Sequence, residues 1–168
     1  MNTVPSILVG TTEQTVWVRV EGKGTFLNST GLKEFTKEMT NRGYRDFVVD
    51  LNSCPVMDST FMGTLAFVAL RLRDLGQGEL RVINLNERNH DLLCNLGLDQ
   101  LFTICAAGEM SGAIPPQPQA LPADVADKRT QKETMLAAHE AVVAANPANA
   151  AKFKDVLEFL KQDLHPAR

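Results

Sequence analysis

Hydrophobic and polar positions alternate with a period of two from Thr15 to Val20, where Val16, Val18 and Val20 interleave with Trp17 and Arg19. That is the period of a β-strand with one face in a core. Ile7, Leu8 and Val9 form an earlier apolar run, and Gly10 to Gln14 gives a polar turn, so Ile7 to Val20 predicts a β-ribbon. Gly22, Lys23 and Gly24 break the pattern. Beyond them Phe26, Leu27, Leu32, Phe35 and Met39 recur at helical spacing. Asn28, Ser29 or Thr30 is the expected N-cap, and Asn41-Arg42-Gly43 the stop.

From Arg45 onward, strands and helices alternate. Arg45 to Leu51 reads as a short strand suited to the middle of a sheet. An irregular stretch containing Pro55 follows. Thr60 to Leu75 is strongly helical, with Met62, Leu65, Ala66, Ala69, Leu70 and Leu72 on one broad face. Gly76 and Gly78 end it. Glu79 to Leu85 predicts a strand, Asn86 to Leu96 a helix closed by Gly97, and Leu101 to Cys105 a last short strand. Short connections between alternating elements argue for βαβ crossovers. The expected fold is α/β, a mixed and mostly parallel sheet packed with helices, over residues 1–105.

The character of the chain changes at residue 106. Residues 106–123 are rich in Ala, Gly, Pro and Gln and nearly uncharged, which reads as a semi-extended linker. Residues 124–168 turn helical again. Met135, Leu136, His139, Val142 and Val143 give one amphipathic segment. Asn146-Pro147 interrupts it, and Phe153, Val156, Leu157, Leu160 and Leu164 make a second apolar face. Neither helix can bury its stripe alone, so a C-terminal helical hairpin must pack on itself, on the main domain or on a partner. The Asn146–Ala150 junction is similar to that of tetratricopeptide repeats, but one helix pair is too few for a self-standing stack.

Composition narrows the function classes. The 168 residues are 44% hydrophobic and 22% charged, which is ordinary globular material. Seventeen basic against twenty acidic residues give a net charge of -3, unlike a general nucleic-acid binder. The N-terminal residues lack a cationic segment followed by an apolar one, and no apolar run reaches membrane-span length, so neither a signal peptide nor membrane insertion is expected. Cys54, Cys94 and Cys105 form no disulfide framework, which suits a cytoplasmic setting. His90, His139 and His165 are isolated from any metal-ligand spacing, so no metal or cofactor is expected. No nucleotide-binding loop, nucleophile elbow or triad pattern is present, so catalysis is not expected. Cys54 reads as a small buried hydrophobe.

The candidate chemistry lies at Asp58-Ser59, where the irregular stretch opens the long helix. Unpaired N–H groups and the helix dipole favour an anion there. Asp and Ser are also among the best N-caps, so the same two residues read equally as a cap alone.

Four features in order resemble the STAS domain family, the sulfate-transporter and anti-sigma-factor-antagonist module. They are the apolar strand ending in Asp50-Leu51, Met57-Asp58-Ser59-Thr60 with Gly63 and Leu65, Gly76-Gln77-Gly78-Glu79-Leu80-Arg81-Val82, and Leu93 to Phe102 with Leu96-Gly97-Leu98. The resemblance implies a non-enzymatic regulator, an anti-sigma factor antagonist that binds an anti-sigma factor or serine/threonine kinase. It implies phosphorylation at Ser59, with Thr60 secondary, and removal by a PP2C-type phosphatase. The implied partner surface comprises Lys23, Thr25 and Phe26 with Asp58, Ser59, Thr60, Phe61, Met62 and Gly63. Two positions depart from the regulated pattern: Phe61 stands where Gly is usual, and Thr25 where an acid is usual. Phe61 is expected either to cover the hydroxyl or to face a partner. These departures keep open an alternative, a non-phosphorylated STAS scaffold subunit of a signalling or transport assembly, including a homo-oligomer.

Overall fold

The computed structural model describes residues 6–105, 118–121 and 126–165. The ribbon is β1 (Ser6–Thr11) and β2 (Thr15–Glu21), antiparallel with Val9 opposite Val18. Helix α1 (Phe26–Asn41), β3 (Asp46–Ser53), α2 (Ser59–Asp74), β4 (Glu79–Ile83) and α3 (Glu87–Asn95) follow. A single 3-10 turn at Leu98–Gln100 leads into β5 (Thr103–Ile104). Next come β6 (Gln119–Ala120), within the Pro-rich segment, then α4 (Lys128–Ala145) and α5 (Asn149–Leu164).

Among the described residues six strands form one mixed sheet in the order β5-β4-β3-β2-β1-β6. The pairs β2–β3, β3–β4 and β4–β5 are parallel, as the alternating pattern predicts, and the two pairs at the β1 edge are antiparallel. The register sets Val18, Val49 and Val82 side by side, and all three are buried in the core. Period two explains β2, where Val16, Val18 and Val20 turn inward and Trp17 and Arg19 outward. The central strand β3 instead is buried on both faces from Phe47 to Leu51, the pattern of a strand with both faces of the sheet covered. Helices α1, α2 and α4 pack against one another, and Leu32, Phe61, Leu65 and Leu72 fill the layer beneath.

Three local expectations are corrected. The cap of α1 is Thr25, whose hydroxyl accepts from the Leu27 N–H, while the Asn28 side chain accepts from the Thr25 N–H. The helix therefore starts earlier than Asn28 to Thr30 would allow. The last strand is shortened because Gly97, at φ +71°, turns the chain into the 3-10 turn before Thr103. Of the expected apolar face of α5, Val156 points to solvent. The inward stripe runs Asn149, Phe153, Leu157, Leu160 and Leu164, and Val156 falls one position off it.

Of residues 106–123, the described part is Pro118 to Leu121. Gln119 and Ala120 pair antiparallel with Val9 and Leu8 on the open side of β1, and the Leu121 N–H donates to the Ile7 carbonyl. The rest of that segment lies outside the described residues, as do residues 124–125 and 166–168. Helices α4 and α5 pack on each other and on the sheet domain. Asn149 joins all three parts: its buried amide donates to the carbonyls of Leu96 (2.8 Å) and Val142 (3.1 Å). Lys152 adds a bond to the Asn95 carbonyl at 2.9 Å, and Lys132 pairs with Asp163 across the hairpin.

Asn149→Ala would take from the Leu96 carbonyl its side-chain donor, while the Val142 carbonyl keeps the Asn146 N–H. We expect it to lower stability by about 1–3 kcal/mol, read as a lower urea midpoint at unchanged slope.

Candidate functional site

The connection from β3 to α2 is irregular in sequence yet held at every step. The Cys54 N–H donates to Leu51 O, the Asn89 amide to Cys54 O (2.9 Å) and the Asn86 amide to Pro55 O (3.0 Å). Asn86 is itself the N-cap of α3, so the start of α3 fixes the approach to α2. Cys54 is buried, donates to the Val56 carbonyl, and its thiol pKa is raised by that burial. Met57 then forms a parallel bridge with Gly24, in which the Gly24 N–H donates to Val56 O and the Asp58 N–H to Gly24 O.

This bridge brings the starts of α1 and α2 together, and Asp58 ties them. One carboxylate oxygen accepts from the Phe61 N–H of α2 at 2.8 Å, and the other from the Phe26 N–H of α1 at 2.9 Å. One side chain thus satisfies orphan donors of two helices. Gly24 is required beneath them. A Cβ there would lie 2.7 Å from the ring of Phe61, which is 0% exposed. Phe61 therefore turns inward against Gly24 and offers no surface in this state.

Ser59 is the first residue of α2 and is partly exposed. Its hydroxyl lies 2.9 Å from Nε2 of His139, on α4. The other ring nitrogen, Nδ1, is 2.7 Å from the Met135 carbonyl. A carbonyl can only accept, so Nδ1 carries the proton, and in the neutral ring Nε2 accepts from the Ser59 hydroxyl. The imidazole is 4% exposed and stands near the Phe153 ring, with centroids 5.1 Å apart.

Beside this pair α4 lies directly on α2. A Cβ on Gly63 would come within 2.3 Å of the Ala138 carbonyl oxygen, so the absent side chain is what lets the two backbones meet. The Thr30 and Thr134 hydroxyls bond at 2.9 Å in the buried seam between α1 and α4.

The sequence profile of the STAS domain matches residues 6–109. The chain belongs to the STAS domain family. No curated protein matches its sequence. Among solved structures, a candidate anti-sigma factor antagonist from Thermotoga maritima superposes with a TM-score of 0.53 at 18% identity, covering 57% of this chain and 82% of that one. The solution structure of the protein TM1081 superposes with a TM-score of 0.54, also at 18% identity, covering 59% and 79%. At these identities the likeness is one of fold. The family match stops short of α4 and α5, so His139 and Thr134 lie outside the matched STAS region.

The STAS fold brings together the two stretches that the sequence resemblance joined. Lys23 is exposed, Thr25, Phe26, Asp58 and Ser59 are partly exposed, and Thr60, Phe61, Met62 and Gly63 are buried with α4 in place. In the sequence His139 stands isolated from any ligand-like pattern. The signal was its place on the apolar stripe of α4 among Met135 and Val142, because a polar ring on a buried face needs a polar partner. His90 and Cys94 line an open cleft of about 1210 Å³ with Arg73 and Thr103, and neither Asp58 nor Cys54 reaches it. Among the described residues no cluster of three His, Cys, Asp or Glu could hold a metal ion, and no helix is long and apolar enough to cross a membrane.

Asp58→Ala removes two caps at once, and at about 1 kcal/mol each the expected loss is about 2 kcal/mol. Asp58→Asn, which keeps one acceptor oxygen, should fall between the two in thermal or urea unfolding.

Proposed function

We propose that this chain is a regulatory protein-binding module of the anti-sigma factor antagonist kind. It binds an anti-sigma factor or related serine/threonine kinase at the starts of α1 and α2, in the cytoplasm and without catalysis of its own. Ser59 is the switch, with Thr60 a secondary acceptor, and a PP2C-type phosphatase resets it. The observation that carries this reading is the position of Ser59. It is the partly exposed first residue of α2, directly after the Asp58 that knits the two helix starts. A phosphate there brings a charge of about -1.5 to -2 to a helix N-terminus, which tolerates an anion. A partner surface built on the unmodified hydroxyl meets that charge as a desolvation cost and a mismatch.

The test is incubation of the full chain with ATP and serine kinases of the anti-sigma factor class, followed by mass spectrometric mapping. Phosphate is expected at Ser59, and Ser59→Asp should weaken kinase capture by about tenfold or more, a step of about 1.4 kcal/mol. No phosphate at Ser59 or Thr60, together with unchanged binding by Ser59→Asp, overturns the switch.

A second reading, a STAS scaffold subunit, is favoured by the exposed Phe159 and Val156 on α5, two apolar side chains one turn apart. Light scattering on the full chain separates the two readings. A stable assembly that is lost in Phe159→Glu supports the scaffold, and a monomer removes it.

A further inference from the structure

The surface around Ser59 already has an occupant, and it is a segment of this chain. Helix α4 lies across the starts of α1 and α2, seated at one point on α1 and two on α2. Thr134 bonds Thr30, Ala138 meets Gly63 with no room for a side chain between them, and His139 accepts from Ser59. We propose that α4 is a built-in cover of the partner surface, and that a phosphate on Ser59 and a docked α4 exclude one another. The inference rests on reading Ser59 as the modified residue.

The exclusion follows from the local geometry. Phosphorylation replaces the very proton that Nε2 accepts and sets anionic oxygens in the 2.9 Å gap between Oγ and the ring. The ring has no retreat while α4 stays docked. Its Nδ1 is held by Met135, its neighbour is the Phe153 ring, and the preceding residue, Ala138, already touches the backbone at Gly63. With Nδ1 donating to the Met135 carbonyl, Nε2 presents a lone pair to the phosphate. Lifting α4 removes the conflict.

The same geometry makes the unmodified chain a closed form. With α4 down, Ala138 lies on Gly63 and His139 holds the Ser59 hydroxyl, so a partner that needs this face competes with the chain's own helix. Its apparent affinity is then the intrinsic one scaled by the open fraction. Opening also frees the Ser59 hydroxyl for a kinase, and the phosphate, once added, holds the cover off.

The experiment uses the full chain with phosphoserine incorporated at position 59 during synthesis, beside the unmodified chain. Ala138→Glu and Gly63→Val serve as two independent mechanical releases of α4. Hydrogen–deuterium exchange is followed over Lys128–Ala145 and Ser59–Asp74, and protected amides of β3 and β4 report an intact sheet. Phosphoserine and both releases are expected to raise exchange in α4 by about tenfold or more. A phosphoserine chain whose α4 exchanges no faster than the unmodified one, while either release is fast, overturns the proposal. That result would mean the phosphate is accepted under the cover as an ion pair with His139. No kinase or partner enters this measurement, so it fails separately from the proposed function. A cover that stays shut overturns the inference alone, and a Ser59 that no kinase modifies overturns the function alone.

Discussion

The bond from one carboxylate to two helices sets the geometry of everything around the site. Asp58 accepts from Phe26 at the start of α1 and from Phe61 at the start of α2. Both donors are orphans that a helix N-terminus cannot satisfy by itself. Because the two acceptor oxygens belong to one rigid group, the helix starts cannot move independently. Gly24 makes the arrangement possible from below by leaving room for Phe61. Ser59 follows Asp58 directly, so its place on the surface is fixed by a bond it does not itself make.

The second layer of organisation comes from small and polar side chains. Helix α4 turns Thr134, Ala138, His139, Ala141 and Val142 inward. Dispersion and area burial reward close approach, which Gly63 and Ala138 permit. Each polar group taken into that seam meets a matching one: Thr134 meets Thr30, and His139 meets Ser59 and the Met135 carbonyl. Such pairings add specificity of register, because a shift of one turn would strand each of these groups without a partner.

The sheet and its order of elements were legible because period two and period 3.6 are properties of single segments. The inward Val16, Val18 and Val20, the broad face of α2 and the glycine stops at Gly76 and Gly97 all announce themselves within a few residues. Asp58 and Ser59 were legible as a helix start for the same reason. What escaped were relations between distant segments. Thr25 caps α1 because the bridge to Met57 delivers the chain there, and nothing local to Thr25 says so. His139 finds Ser59 eighty positions away. In the sequence Asn149 is only part of a helix junction, although its amide closes the gap to Leu96. The apolar stripes of the hairpin require a surface to cover but do not name that surface. The answer depends on one missing Cβ in α2.

The sheet has two ends, and they are finished differently. At one, β5 is only two residues long. At the other, the chain folds Gln119 and Ala120 back onto β1 and adds the Leu121 bond to Ile7. A hydrogen-bonding rim that would otherwise invite a foreign strand is thereby covered over Ile7 to Val9 by the molecule itself at one end and cut short at the other. A short β5 and a partly covered β1 leave little continuous edge for zippering into ribbons or fibrils.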